Sequence, residues 1–380
     1  MSEAERRVLP LWPDRWQVLF GDRQHPLWLP PGDYRFQKRC LRFFIGNPCK
    51  ALYARALLRV NALVPRAGVV PELRLPRAMR SILSFELPVN GPWRGAIQIG
   101  TAGPYQKASV LISSADGEGL AFAKVAMAQS ADARVSAEAR WLKDLAGVRG
   151  LADQVPRLVA EGVTRNGRRY LITTLAPGTG QSTTLTSAHV RFLEALGRAR
   201  LETLEFAASP CFRNVDCMLA RLESCADPEA RATLREASAE CTAYLAGWKG
   251  PFVIAQGDFA PWNIRVHRDS LFVFDWEYAR AGANPLADVL NFLLMPRAVS
   301  GRAISIRVLT AAIREAGKRA RQLYPEWRWR YPVIPALALA YLLEVILHYC
   351  LANQCVDQAD PVVRTYWQLV ERRNAWLATT

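Results

Sequence analysis

Apolar positions follow two regimes along the chain. Between residues 95 and 178 they come in short runs broken by glycine and polar clusters, which is the strand pattern. Ala96 to Ile99, Ala108 to Ser113 and Leu120 to Ala126 predict three strands, with Gly100-Thr101-Ala102-Gly103 between the first two and Asp116-Gly117-Glu118-Gly119 turning into the third. A helical period takes over from Ser136 to Leu145, where Trp141, Leu142 and Leu145 face a core and Glu138 lies on the adjoining face. Arg169 to Thr174 predicts another strand, running on to Gly178. Beyond it helices are expected at about 187–206, 215–223 and 227–245, the last opened by Asp227-Pro228-Glu229. The longest apolar stretch, Tyr331 to Leu351, contains Pro332, Pro335, Glu344 and His348; a membrane span would bury a carboxylate in a broken helix, so a core helix is predicted, with His348 a satisfied core histidine. Near the start, Lys50 to Val64 reads as an amphipathic helix with Leu52, Tyr53, Ala56, Leu57, Val60, Leu63 and Val64 on one arc and Arg55 and Arg59 beside it. Pro65 to Pro92 reads as a poorly structured connector.

Chemistry concentrates in residues 254–277, IAQGDFAPWNIRVHRDSLFVFDWE. Phe252 to Ala255 forms an apolar run, Asp258 to Asn263 a polar loop, and Ile264 to Val266 and Leu271 to Phe274 a hairpin around Arg268-Asp269. Asp258, Asn263 and Asp275 therefore converge at one end of that hairpin. Phosphoryl transfer asks a protein for a hydroxyl held in line with a phosphate and for metal ions that neutralise the phosphate oxygens. Oxygen donors suit Mg²⁺, so Asp275 and the amide oxygen of Asn263 are suitable ligands, and Asp258 is left to accept a proton. An ordinary turn rich in Asp, Asn, Gly and Pro is the bland alternative.

The strings QGDFAPWN and FDWE resemble the catalytic loop and metal-binding strand of the aminoglycoside phosphotransferase and choline kinase branch of the protein-kinase-like fold, whose loop reads HGDxxxxN. The downstream string Gly282-Ala-Asn-Pro-Leu-Ala-Asp288 resembles the same branch's GDPxxD element, whose Asp braces the catalytic loop. Phe122-Ala-Lys124-Val resembles the strand whose Lys pairs with the α- and β-phosphates of ATP. What the resemblance implies is an α+β, bilobal fold, with a small antiparallel-sheet N-lobe over 93–178 and a mostly helical C-lobe over 179–380. A basic, aromatic and proline-rich extension over 1–92 precedes them. It implies Asp258 as base or hydroxyl-orienting residue, Asn263 and Asp275 as metal ligands, Lys124 as phosphate anchor and Glu138 as its partner. Gly100, Thr101, Ala102 and Gly103 would approach the phosphates, and backbone groups of Thr174, Leu175 and Ala176 would hold the adenine edge. ATP and Mg²⁺ are the expected cofactors. One departure stands out: Gln256 occupies the place of the family's His, so any bracing there must come from an amide, which donates and accepts but takes no charge.

Composition and charge narrow the function. With 51% hydrophobic and 22% charged residues, 380 residues can fill two cores. The eight cysteines form no CxxC pair and only four histidines accompany them, so neither a zinc site nor a disulfide framework is expected. The first residues lack the apolar core of a signal peptide, which favours a cytoplasmic location. Net charge is +15, and residues 1–80 hold fifteen Arg and Lys against six acids. That segment has three open readings: packing on the small lobe, lying on an anionic membrane surface as a peripheral contact, or holding a phosphate-rich or acidic partner. Nucleic acid is not expected, because no binding motif accompanies the charge. The helical lobe offers no dense acidic run for a polycation, so a neutral or anionic hydroxyl on a small molecule, sugar or glycan intermediate is the expected acceptor, with Arg297, Arg302 and Arg307 as candidate contacts. The rival from another class is a catalytically silent, pseudokinase-like nucleotide-binding partner of a membrane-associated assembly, supported by Gln256 and the basic segment.

Overall fold

The computed structural model describes residues 13, 15–20, 26–31, 33–44, 48–64, 69–83, 85, 93–114, 119–177, 180–222, 228–353 and 355–378. The turn expected at 116–118, and the residues Gly178 and Asp227, lie outside them. Two compact units emerge, one of residues 1–147 and 155–180, the other of residues 148–154 and 181–380.

The first unit contains, in order, β1 (Trp16–Phe20), β2 (Pro26–Leu29), α1 (Tyr34–Phe44), α2 (Pro48–Leu63), β3 (Glu72–Leu73), α3 (Arg77–Ile82), β4 (Trp93–Ile99), β5 (Lys107–Ser114), β6 (Gly119–Ala126), α4 (Gln129–Ala146), β7 (Leu158–Val163) and β8 (Arg169–Thr173). Its strands form one antiparallel sheet in the order β3-β1-β2-β4-β5-β6-β8-β7. Strands before and after residue 92 thus share a single sheet. The pleat sends alternate side chains to opposite faces. One face carries Trp16, Trp28, Trp93, Ile97, Val110, Ala123 and Ile172, and Leu75, Leu83 and Phe85 close over it. The stretch 65–92 is therefore not the unstructured connector its prolines suggest: it carries β3 and α3, and its Leu75, Leu83 and Phe85 are buried against a sheet face that would otherwise meet water.

The opposite face carries Lys124 with Phe122 and Ala126 of β6, Leu111 of β5 and Ala96 of β4, as the β4–β5 and β5–β6 registers require. Two helical covers lie on it. The α4 side packs Ala131, Val135 and Ala139 on Ala126 and Leu171, while α1 and α2 pack Phe36, Cys40, Leu41, Ala54 and Leu58 on Leu27, Leu29, Ala96 and Leu111. Within α4, Glu138, Leu142 and Leu145 are buried, and Trp141, expected in the core, sits at its margin.

The second unit contains α5 (Ser187–Ala199), β9 (Glu202–Glu205), α6 (Pro210–Arg221), α7 (Pro228–Tyr244), β10 (Lys249–Ala255), β11 (Ile264–His267), β12 (Ser270–Val273), β13 (Arg280–Ala283), α8 (Ala287–Val299), α9 (Ile306–Leu323), α10 (Val333–Asn353), α11 (Pro361–Glu371) and α12 (Asn374–Leu377). The helix expected over 187–206 stops at Ala199. Arg200 leaves the helical region, and Glu202 to Glu205 pair with β10 instead, Glu202 opposite Phe252. The apolar α10 is a core helix, with 83% of its most hydrophobic window buried. Its Glu344 is paired with Arg280 at 2.6 Å and accepts from Asn214 at 2.9 Å, so the carboxylate inside this apolar helix is compensated.

Candidate active site

The buried strand β10 delivers the chain into a loop, residues 256–263, whose conformation is fixed by three neighbours. Gly257 has φ +86, and a Cβ there would lie 2.3 Å from the Tyr278 carbonyl oxygen; only glycine meets both demands. Asp288, in the first turn of α8, accepts from the backbone N–H groups of Gln256 (2.8 Å) and Gly257 (3.0 Å). Burial raises the pKa of this carboxyl, and the two N–H donors and Arg280 oppose the rise.

Gln256 is fully buried and supplies the third clamp. Its Oε1 accepts from the Asp258 N–H at 2.9 Å, and its Nε2 donates to the carbonyls of Phe274 (3.2 Å) and Asp275 (2.6 Å). One amide thus ties the loop bearing Asp258 to the strand end bearing Asp275. The bracing that the sequence placed in question is present, and the bifunctional amide provides it.

Asp258 accepts from Asn263 Nδ2 at 2.7 Å, from Trp262 Nε1 at 3.4 Å and from Asn291 Nδ2 at 3.4 Å. Burial, and next the charge of Asp275, push its pKa up to about 7, against the pull of those three donors. Asn263 also donates to the Asp258 carbonyl at 3.0 Å, so its nitrogen is committed and its amide oxygen is the atom left for a cation. Asp275 follows the β11–β12 hairpin with φ +67, in the left-handed region where a non-glycine residue is held only by its surroundings. The donor set is hard oxygen, which fits Mg²⁺.

Sequence reasoning missed two layers here. Asn291 also donates to the Phe259 carbonyl at 3.4 Å and accepts from the Tyr341 hydroxyl at 3.1 Å; that hydroxyl lies 3.1 Å from the Tyr366 hydroxyl. The available signal was Asn291 three residues after Asp288, hence on the same helix face. Nothing in the apolar string of α10 marks Tyr341 as part of this chain of bonds.

In the first unit, Lys124 and Glu138 are both buried and meet at 2.7 and 2.8 Å. A lysine amid apolar strand residues requires such a partner. Gly100, Thr101, Ala102 and Gly103 lie in the turn after β4, largely exposed, with the Gly100 N–H on the Lys107 carbonyl at 2.9 Å. Thr174 follows β8, and its N–H donates to the Arg157 carbonyl at 2.9 Å; Leu175 and Ala176 come next, half-buried. Arg297, Arg302 and Arg307 are exposed on the second unit, and His348 is half-buried with its ring edge on Tyr278 at 5.2 Å.

A strand lysine paired to a helix glutamate, and an Asp-Asn-Asp set on a braced loop and hairpin, define a kinase-like phosphotransferase of mixed α+β fold. A family profile described as "Phosphotransferase enzyme family" matches residues 109–332, and the chain belongs to that family. A search of curated proteins finds no match. Among solved structures, a thermostable mutant of aminoglycoside phosphotransferase APH(4)-Ia in its apo form is similar at 15% identity, with 74% of this chain and 94% of that one covered and a TM-score of 0.50. A putative fructosamine-3-kinase from Haemophilus somnus 129PT is similar at 16% identity, covering 72% and 91%, with a TM-score of 0.47. Choline kinase LicA from Streptococcus pneumoniae is similar at 14% identity, covering 72% and 90%, with a TM-score of 0.48.

Proposed function

We propose that this chain is an ATP- and Mg²⁺-dependent kinase that transfers the γ-phosphate to a hydroxyl of a small molecule, a sugar or a glycan intermediate. The carrying observation is the set formed by Asp258, Asn263 and Asp275 on a loop clamped by Gln256 and Asp288. In this reading Asp258 accepts or orients the acceptor proton, and its raised pKa suits a group that must hold a proton and then give it up. Asn263 and Asp275 would hold Mg²⁺, which when bound neutralises charge on the phosphate oxygens. Lys124, set by Glu138, would hold the α- and β-phosphates beside the Gly100–Gly103 turn, and Leu175 and Ala176 would meet the adenine edge. The Thr174 N–H is already engaged by Arg157 and drops out of that edge.

The pseudokinase-like alternative loses its main support, because Gln256 makes the bonds a bracing residue must make. Aminoglycoside, fructosamine and choline substrates belong to the neighbours. A net charge of +15 and the exposed Arg297, Arg302 and Arg307 argue here for neutral or anionic acceptors. The test is transfer of labelled γ-phosphate to a panel of sugars, sugar phosphates, amino alcohols and nucleosides with Mg²⁺. Transfer to a neutral or anionic hydroxyl supports the proposal; transfer restricted to polycations overturns the acceptor class.

A further inference from the structure

We infer that α1 and α2 form a docking surface for an anionic lipid bilayer. The helix α2 is apolar on two opposite sides. Ala51, Ala54 and Leu58 face inward and are buried, whereas Leu52 (67% exposed), Tyr53 (68%), Val60 (45%) and Leu63 (74%) lie on the outward arc. The apolar arc read from the sequence is therefore mostly exposed, Leu57 alone of its large residues reaching the inner cluster. Beside it α1 turns its apolar residues Phe36, Cys40 and Leu41 inward and leaves Arg35, Lys38 and Arg39 exposed. Residues 34–71 contain eight Lys and Arg and no Asp or Glu. Charge selects the occupant: a second copy would bring two such cationic segments face to face, whereas a bilayer with anionic headgroups takes leucine and tyrosine at its interface and cations at its surface.

The test is co-sedimentation of the full chain with vesicles of phosphatidylcholine alone and with added phosphatidylglycerol. Binding is expected only with phosphatidylglycerol, weakened by high salt. Leu52→Glu/Leu63→Glu, both at exposed sites, should lower it at least about tenfold with thermal unfolding unchanged. Absence of binding to anionic vesicles, or binding that the double variant retains, overturns the inference. So does a solution dimer of the wild type that the double variant dissociates, which would give the face to a second copy.

The inner side carries an independent inference, which rests on the nucleotide reading above: α1 covers the strip that the nucleotide would occupy. Lys124, the phosphate anchor, and Leu175, beside the adenine edge, bracket Phe122, which stands two residues before Lys124 on the same face and opposite Thr173 in register. Phe44 at the end of α1 lies with its ring centroid 6.2 Å from that of Phe122, and Leu175 packs against the cluster formed by α1 and α2. A base cannot lie on Phe122 while Phe44 does, so ATP must displace the end of α1, and its apparent affinity is reduced by the fraction of covered molecules.

Calorimetric titration with Mg-ATP and hydrogen exchange test this. Phe44→Ala should tighten ATP binding several-fold, and saturating ATP should speed exchange across residues 34–44 of the wild type. ATP binding that leaves that exchange unchanged and is indifferent to Phe44→Ala overturns the cover while the nucleotide reading stands. Absence of ATP binding in both proteins removes the nucleotide reading and the cover with it.

Discussion

Burial and the neighbouring Asp275 charge both favour the protonated form of Asp258, whose folded pKa reaches about 7 against an unfolded value of 3.8. A carboxyl whose pKa is raised on folding costs stability as pH rises from the unfolded value through the folded one. Asp258→Asn, uncharged and nearly isosteric, should therefore melt higher than the wild type at pH above about 7, with the gain shrinking as pH falls toward about 4. Thermal scans of the metal-free protein across that range check the sign. Lys124 answers to similar electrostatics. Lys124→Ala removes the buried ammonium that meets Glu138 at 2.7 Å, at a cost of about 3–5 kcal/mol, whereas Lys124→Met with Glu138→Gln should recover most of the stability without activity; denaturant midpoints and turnover together separate the two. Gln256→Ala removes the partners of one N–H and two carbonyls, each about 1–3 kcal/mol if left unsatisfied. Gln256→His, which can donate and accept, should retain more kcat/KM than the alanine variant, with Tm measured alongside.

At the scale of elements, the loop of residues 256–263 depends on its turn chemistry. Gly257→Ala meets the Tyr278 carbonyl and a positive φ at once, so it should cost about 2 kcal/mol or more and lower kcat even where the protein folds; circular dichroism melts and turnover check it. This loop was legible in the sequence because the Asp258 to Asn263 spacing and the following hairpin are local features, as is the short apolar strand ending at Asp275. Helix faces and pairings set by distant neighbours were not. Glu202 to Glu205 leave a helical reading because β10 offers them hydrogen bonds, and only the tertiary fold shows that α2 turns its smaller apolar side inward. Asn291 and Tyr341 join the site through contacts spanning 33 and 50 residues, which no local pattern encodes.

For the whole molecule, the first unit holds a buried Lys124–Glu138 pair and the second holds Asp258, Asn263 and Asp275, which the proposed function would use together. The strands β1, β2 and β3, from the stretch whose basic surplus was plain in the sequence, lie in the same sheet as β4 to β8, a placement that follows from the β2–β4 register and not from composition. The measurement that tests the central claim most directly is acceptor-dependent transfer of the ATP γ-phosphate by the wild type and by Asp258→Asn under the same Mg²⁺ concentration. A positioned general base contributes roughly 10² to 10⁴ in rate. The account predicts a product that carries the phosphate on a hydroxyl and a loss of that order in the variant. Transfer at an undiminished rate by Asp258→Asn, in a protein that folds and binds ATP like the wild type, would contradict it.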